Sequence, residues 1–128
     1  MKLLLDTHIL VWSTLSVSSL SKRAAELIAD TSNEIFVSAA TAWEISTKVR
    51  LGKMNEAIDL EREFLTKMAE AGYTLLPITA AHALRAGRMI GDHRDPFDRM
   101  IAAQALAEDI PVISMDTKLD VFGVRRLW

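Results

Sequence analysis

"KLLLDTHILVWSTL", residues 2–15, reads as a buried strand that runs straight into a helix, with a carboxylate at the joint. The apolar run within 2–5, Leu3 to Leu5, is short and unbroken, which suits a strand covered on both faces. "THILVWSTL" then reads as helical. The same alternation recurs down the chain. "SLSKRAAELIAD" places Leu20, Ala24, Leu27 and Ile28 on one helical face, and "EIFVS" (34–38) is a second strand. "AATAWEISTKVRLGK" is a helix closed by Gly52, and "EAIDLEREFLTKMAEAG" is one helix with Leu60, Phe64 and Met68 aligned, stopped by Gly72. "YTLLPI" (73–78) is a third strand and "AAHALRAGRMI" a helix. A long helix then aligns Phe97, Ile101 and Ala105, "IPVISM" (110–115) is a fourth strand, and "VRRLW" is a fifth at the edge.

Strands separated by helices need crossover connections. The expectation is therefore one α/β domain over residues 1–128, with a central, mainly parallel sheet of four to five strands flanked by helices. Function in such sheets gathers beyond the carboxyl ends of the strands. Two of these strands end alike: "KLLL" meets Asp6 and "VISM" meets Asp116. Carboxylates there suit cation binding, and for each one an Asx turn or a helix cap stays open as the simpler account.

Composition narrows the classes. Of 128 residues, 50% are hydrophobic and 25% charged, which indicates a folded globular chain. A net charge of −2 excludes nucleic-acid binding by bulk positive charge, though not by a local basic patch. With no cysteine, disulfides, thiol catalysis and cysteine-ligated zinc are excluded. Asp6 ends the first apolar run too early for a signal peptide, and no stretch reaches the roughly 18 residues of a membrane span. A cytoplasmic protein with no membrane association is expected.

"HRDPFDRMIAAQA", residues 93–105, holds the second cluster of chemistry. Asp95 before Pro96 is a strong helix start, N-cap followed by proline at the first helical position. Asp98 falls at the third helical position, where a carboxylate can meet a backbone N–H and the helix dipole. That account leaves His93, Arg94 and Arg99 unexplained. Glu44 has two readings. Thr41-x-x-Glu44 fits a capping box, whereas a helix starting at Ser38 would put Glu44 inside it, beside Trp43 and Ile45. His8, His82 and His93 show no paired metal-ligand spacing. His82 reads as a surface or core histidine, and neither of the others is expected to be a catalyst.

"LLLDTHILVW", "SAATAWEISTK", "DHRDPFDRMIAAQA" and "VISMD" together resemble the PIN domain, and within it the VapC-type toxins of bacterial and archaeal toxin–antitoxin pairs. The resemblance covers essentially the whole chain in the family's order. It places the family's acidic quartet on Asp6, Glu44, Asp98 and Asp116, which would hold one or two Mg²⁺ ions (Mn²⁺ as a substitute) and cleave RNA. Asp95 is then the cap, with Thr7 and Ser114 as further supports of the site. Lys48, Arg50, Arg94 and Arg99 are candidate contacts to the RNA backbone, with an ordinary solvated surface as the equal alternative. The resemblance implies a VapB-type antitoxin as partner and a homodimer, and allows transfer, ribosomal or messenger RNA as substrate. The Met- and Leu-bearing segment 55–71 is the expected wall of an antitoxin groove.

Elementary physics points the same way. Carboxylates about 4 Å apart repel by about 4 kcal/mol at an effective dielectric near 20. A cluster of them calls for a cation, protons or basic partners, and an oxygen-rich donor set selects hard divalent ions. Two alternatives are a Mg²⁺-dependent phosphatase and a non-catalytic partner-binding domain. The haloacid dehalogenase type of phosphatase needs an aspartate at position 8, where this chain has His8. The presence of all four acids argues against a decayed site.

Overall fold

The structure, a computed structural model, describes residues 1–128. Five strands form one sheet: β1 (Lys2–Leu5), β2 (Glu34–Ser38), β3 (Thr74–Leu76), β4 (Val112–Ile113) and β5 (Arg126–Leu127). Every pairing is parallel, and the order is β3-β2-β1-β4-β5. Seven α-helices accompany them: α1 (Thr7–Leu15), α2 (Lys22–Ala29), α3 (Ala39–Arg50), α4 (Ile58–Arg62), α5 (Phe64–Ala71), α6 (Ala80–Arg88) and α7 (Pro96–Glu108). No helix is long and apolar enough to cross a membrane.

Strand periodicity divides the interior in two. Leu3 and Leu5 join Ile35, Val37 and Ile113 on one face, under α1, α4 and α5. Leu4 joins Phe36 and Val112 on the other, against Ile101, Ala102 and Ala105 of α7. All three leucines are fully buried, as a central parallel strand requires.

Local chemistry sets the ends of the elements. β4 is shorter than the expected 110–115 because Pro111 has no N–H to donate and the chain turns at Ser114. The carbonyl of Pro111 still accepts from Leu4 at 2.9 Å. β3 likewise stops before Pro77, whose carbonyl accepts from the buried Gln104 Nε2 at 3.2 Å. Ser38 caps α3 by accepting the Ala40 N–H, which decides between the two readings of Glu44: it lies inside the helix and is not a capping-box partner. His82 is a core residue. Its Nδ1 accepts the Thr79 N–H, completing a capping box, and its Nε2 lies 2.9 Å from Glu108 Oε1 at the far end of α7.

The segment expected as one helix over 56–72 is two, α4 and α5, joined at Glu63, whose φ of −107° and ψ of 22° leave helical geometry. The apolar stripe survives the kink. Leu60, Phe64 and Met68 are buried among the residues of the first core. That stripe is spent on the interior, so a groove wall at 55–71 would have to use the exposed side chains of the segment, Ile58 and Leu65. Replacing Leu60 with alanine should lower stability by about 3 kcal/mol, a cost typical of a buried leucine. Leu65→Ala, at a side chain 70% exposed on the next helix, should change it by under about 0.5 kcal/mol. Urea titration of the two variants checks which face is inside.

Candidate metal centre

The sheet order makes β1 and β4 neighbours at the point where successive connections turn in opposite directions, the position at which open α/β sheets bind ligands. Asp6 leaves β1 there, and its backbone N–H continues the ladder to Ile113 at 3.1 Å. Its carboxylate is tied at both oxygens. Oδ1 accepts the Thr7 N–H at 2.7 Å, and Oδ2 accepts the Ser114 hydroxyl at 2.6 Å. The Ser114 oxygen in turn accepts the Asp116 N–H at 3.0 Å, so one hydroxyl aligns both strand-end aspartates. Thr7 is buried and its hydroxyl meets that of Thr41 on α3 at 3.1 Å.

From the other side comes the start of α7. Asp95 Oδ1 accepts the N–H groups of Phe97 and Asp98, at 2.9 and 3.1 Å, so Asp95 alone caps the helix. Asp98 is left free of capping duty. Its Oδ2 lies 2.7 Å from His93 Nε2. α3 contributes Glu44 and Lys48, one turn apart and joined by an ion pair. The residues preceding the two helix-borne acids also meet, Trp43 packing edge-on against Phe97 with ring centres 4.8 Å apart.

Asp6, Glu44, Asp95, Asp98 and Asp116 line one open cavity of about 410 Å³, with His8, Ile9, Trp12, Lys48, Met115 and Thr117. The structure thus brings the four expected acids together and adds the cap. At its edge Asp98 and Asp116 meet His93, which does not line the cavity, and the potential ligand atoms of the three lie within 4.8 Å of one another. His93 was not expected to act. Its only sequence signal is its place just before the helix start, where a loop can fold back over the first turn.

Arg99 makes that loop fold back. Its guanidinium donates to the carbonyls of Ala86 and His93, at 3.0 and 3.1 Å, and to that of Met89. It also lies 5.3 Å from the centre of the Phe122 ring. The loop passes this ring at Gly91, φ +154°, where a Cβ would come within 3.0 Å of Phe122. Arg99 was a candidate contact to the RNA backbone. The structure turns it inward, to support the loop that carries His93. Lys48 is also drawn into the cavity by Glu44, whereas Arg50 and Arg94 are exposed.

Electrostatics shows what the pocket lacks. Burial, then the charge of Asp6, raises the carboxyl pKa of Asp98 to about 7. Asp95 and Glu44 add to the rise and the His93 hydrogen bond opposes it. Burial pushes Asp6 up as well, against its bonds from Ser114 and Thr7. Burial works against the charge of Lys48, but the hydrogen bond it donates to Glu44 and the surrounding carboxylates outweigh it, and its pKa rises. Glu44 Oε1 is buried and has no hydrogen-bond partner. An orphaned oxygen on a carboxylate that shares a cavity with four others is an unfavourable arrangement that a cation would relieve. The donor set is almost all oxygen, so the residues present fit a hard divalent ion.

The PIN domain family model matches residues 3–124. No curated protein matches the chain. Three solved structures share the fold. VapBC2 from Rickettsia felis, bound to a DNA fragment from its promoter, has 19% identity and a TM-score of 0.68, with 99% of this chain and 98% of that one covered. FitAB bound to an IR36 DNA fragment has 20% identity and a TM-score of 0.64, covering 98% and 93%. FitAcB from Neisseria gonorrhoeae has 20% identity and a TM-score of 0.63, covering 98% and 96%.

The raised pKa values carry a pH signature. Between the ordinary carboxyl value of 3.8 and about 7, folded Asp98 holds a proton that the unfolded chain releases, so stability falls as pH rises through that window. Without metal, the melting temperature should be higher at pH 5.5 than at pH 8. Asp98→Asn should flatten that dependence, and added Mg²⁺ should raise the melting temperature more at pH 8 than at pH 5.5. Calorimetric melting at the two pH values measures all three effects.

Proposed function

The chain belongs to the PIN domain family, and on that premise we propose that it is a Mg²⁺-dependent endoribonuclease, the toxin of a toxin–antitoxin pair. The observation that carries the reading is the gathering of Asp6, Glu44, Asp98 and Asp116 in one cavity with an unpartnered buried oxygen on Glu44. Asp6, Asp98 and Asp116 would hold the cation, with Glu44 completing the set or orienting the attacking water. When bound, such an ion makes water acidic and neutralises charge on the scissile phosphate. Mn²⁺, with the same preference for oxygen, would substitute.

The protein's own groups do the positioning. Ser114 fixes the rotamer of Asp6 and the backbone entering Asp116. His93 holds one oxygen of Asp98, leaving the other to face the cavity. Asp95 orients the first turn of α7, from which Asp98 projects. Arg50 and Arg94 would meet the RNA backbone outside the pocket, and the partly buried Lys48 would meet it only at the scissile phosphate. Trp12, with His8 6.0 Å away, forms an aromatic wall on which an unpaired base can stack.

An antitoxin of the VapB type is the proposed partner. The support is the chain's likeness in fold to structures solved as VapBC2 and FitAB complexes with DNA. A homodimer and a cytoplasmic setting belong to the same reading. Exposed Trp43, Ile78, Leu84 and Ile90 offer apolar surface for such contacts.

Asp95 and Asp98 provide the test. Asp95→Asn keeps a good N-cap and should leave folding and most cleavage intact. Asp98→Asn should fold at least as well as the parent in the absence of metal and lose Mg²⁺-dependent cleavage by a factor of about 100 or more, because a neutral amide is a poor ligand for a hard cation. Melting curves and cleavage of a generic single-stranded RNA, with and without Mg²⁺, check both. Near-parent cutting by Asp98→Asn would remove Asp98 from the metal site.

A further inference from the structure

Glu44 carries two oxygens with different surroundings. Oε2 is bound to Lys48, and Oε1 is buried without a partner. Lys48 is the only lysine or arginine lining the cavity, where five carboxylates face it. Its place is set by α3, because Glu44 and Lys48 lie four residues apart in the favourable order, glutamate first. Its side chain is only 26% exposed. A lysine ordinarily keeps its ammonium in water, and ordering its long stem costs entropy. Here Glu44 holds it in the pocket, and Asp95 and Asp98 of α7 act on its charge from across the cavity.

We propose that Lys48 is a resident monovalent cation of the acidic pocket, taking the place of a second divalent ion, so that each chain holds one divalent ion. The proposal rests on reading the pocket as a metal-dependent nuclease centre. It divides the cavity into two parts. Asp6, Asp98, Asp116 and the free oxygen of Glu44 would hold the divalent ion, and the other oxygen of Glu44 is committed to the ammonium. In sites with two metal ions, the pair sits about 3.5–4 Å apart. Glu44 would serve both cations here, with the ammonium on one oxygen. A lysine asks for no further oxygen ligands and stays with the chain when the divalent ion leaves. It also keeps one positive charge in place to meet the phosphate.

The test counts bound ions without reference to catalysis. Mn²⁺ is titrated into the full chain without RNA, and binding is followed by calorimetry and by the loss of the free-Mn²⁺ electron paramagnetic resonance signal. The parent and Lys48→Arg, which retains the charge, should each bind one Mn²⁺. Lys48→Gln should bind two, and thermal melting should show it folded, since Lys48 is 26% exposed and lies outside both hydrophobic cores. Two ions in the parent would overturn the proposal. So would a single ion of unchanged affinity in Lys48→Gln. Mn²⁺ bound by none of the three would overturn the nuclease-centre reading itself, an outcome distinct from a wrong count.

Discussion

The pairing of β1 with β4 is the constraint on which the molecule depends. Only two residue pairs define it, Leu4 with Val112 and Leu5 with Ile113, yet they join segments more than a hundred residues apart. A slip of one residue would move Leu4 into the wrong core and carry Asp6 away from Ser114. The register that separates the two hydrophobic layers therefore also aligns the strand-end acids. Fold and site are specified by the same side-chain alternation.

That alignment works against electrostatics. Five carboxylates converge on a cavity whose walls are partly buried, and one oxygen of Glu44 is left without a partner. The surroundings offset the cost piecemeal, through Ser114 and Thr7 at Asp6, His93 at Asp98 and Lys48 at Glu44. None of these completes the set. A pocket under such strain is stabilised by whatever brings positive charge into it, whether a divalent ion or a basic side chain of a partner.

Much of this was legible in the sequence because it is local. The leucine run of β1 and the apolar run of β2 are too short for a buried helix and suit a buried strand, and Asp95-Pro96 marks a helix start on its own. Periodicity also found the stripe of Leu60, Phe64 and Met68, but a stripe does not say what covers it. Here the core covers it. The kink at Glu63 left no trace because the same stripe runs through it. Arg99 shows the other limit. An arginine beside a site acid suggests a phosphate contact, and only the return path of the 89–95 loop gives its guanidinium the carbonyls of Met89 and His93 to hold beside that of Ala86 in α6. His93 was missed for the same reason.

That loop has a thermal consequence. It is fastened by one arginine, a phenylalanine ring and Met89 at its start against the second core, and Ile90 is 94% exposed, so little apolar burial secures the rest of it. Hydrogen bonds from a charged donor contribute about 1.5–3 kcal/mol each, and their loss leaves both hydrophobic layers intact. The 89–95 segment is thus a separate opening unit, with a lower free energy of release than the sheet. Amide hydrogens there should exchange while those of β1 and β2 stay protected. As a sample warms, His93 would let go of Asp98 before the core loosens, and the protein would lose competence while still counting as folded.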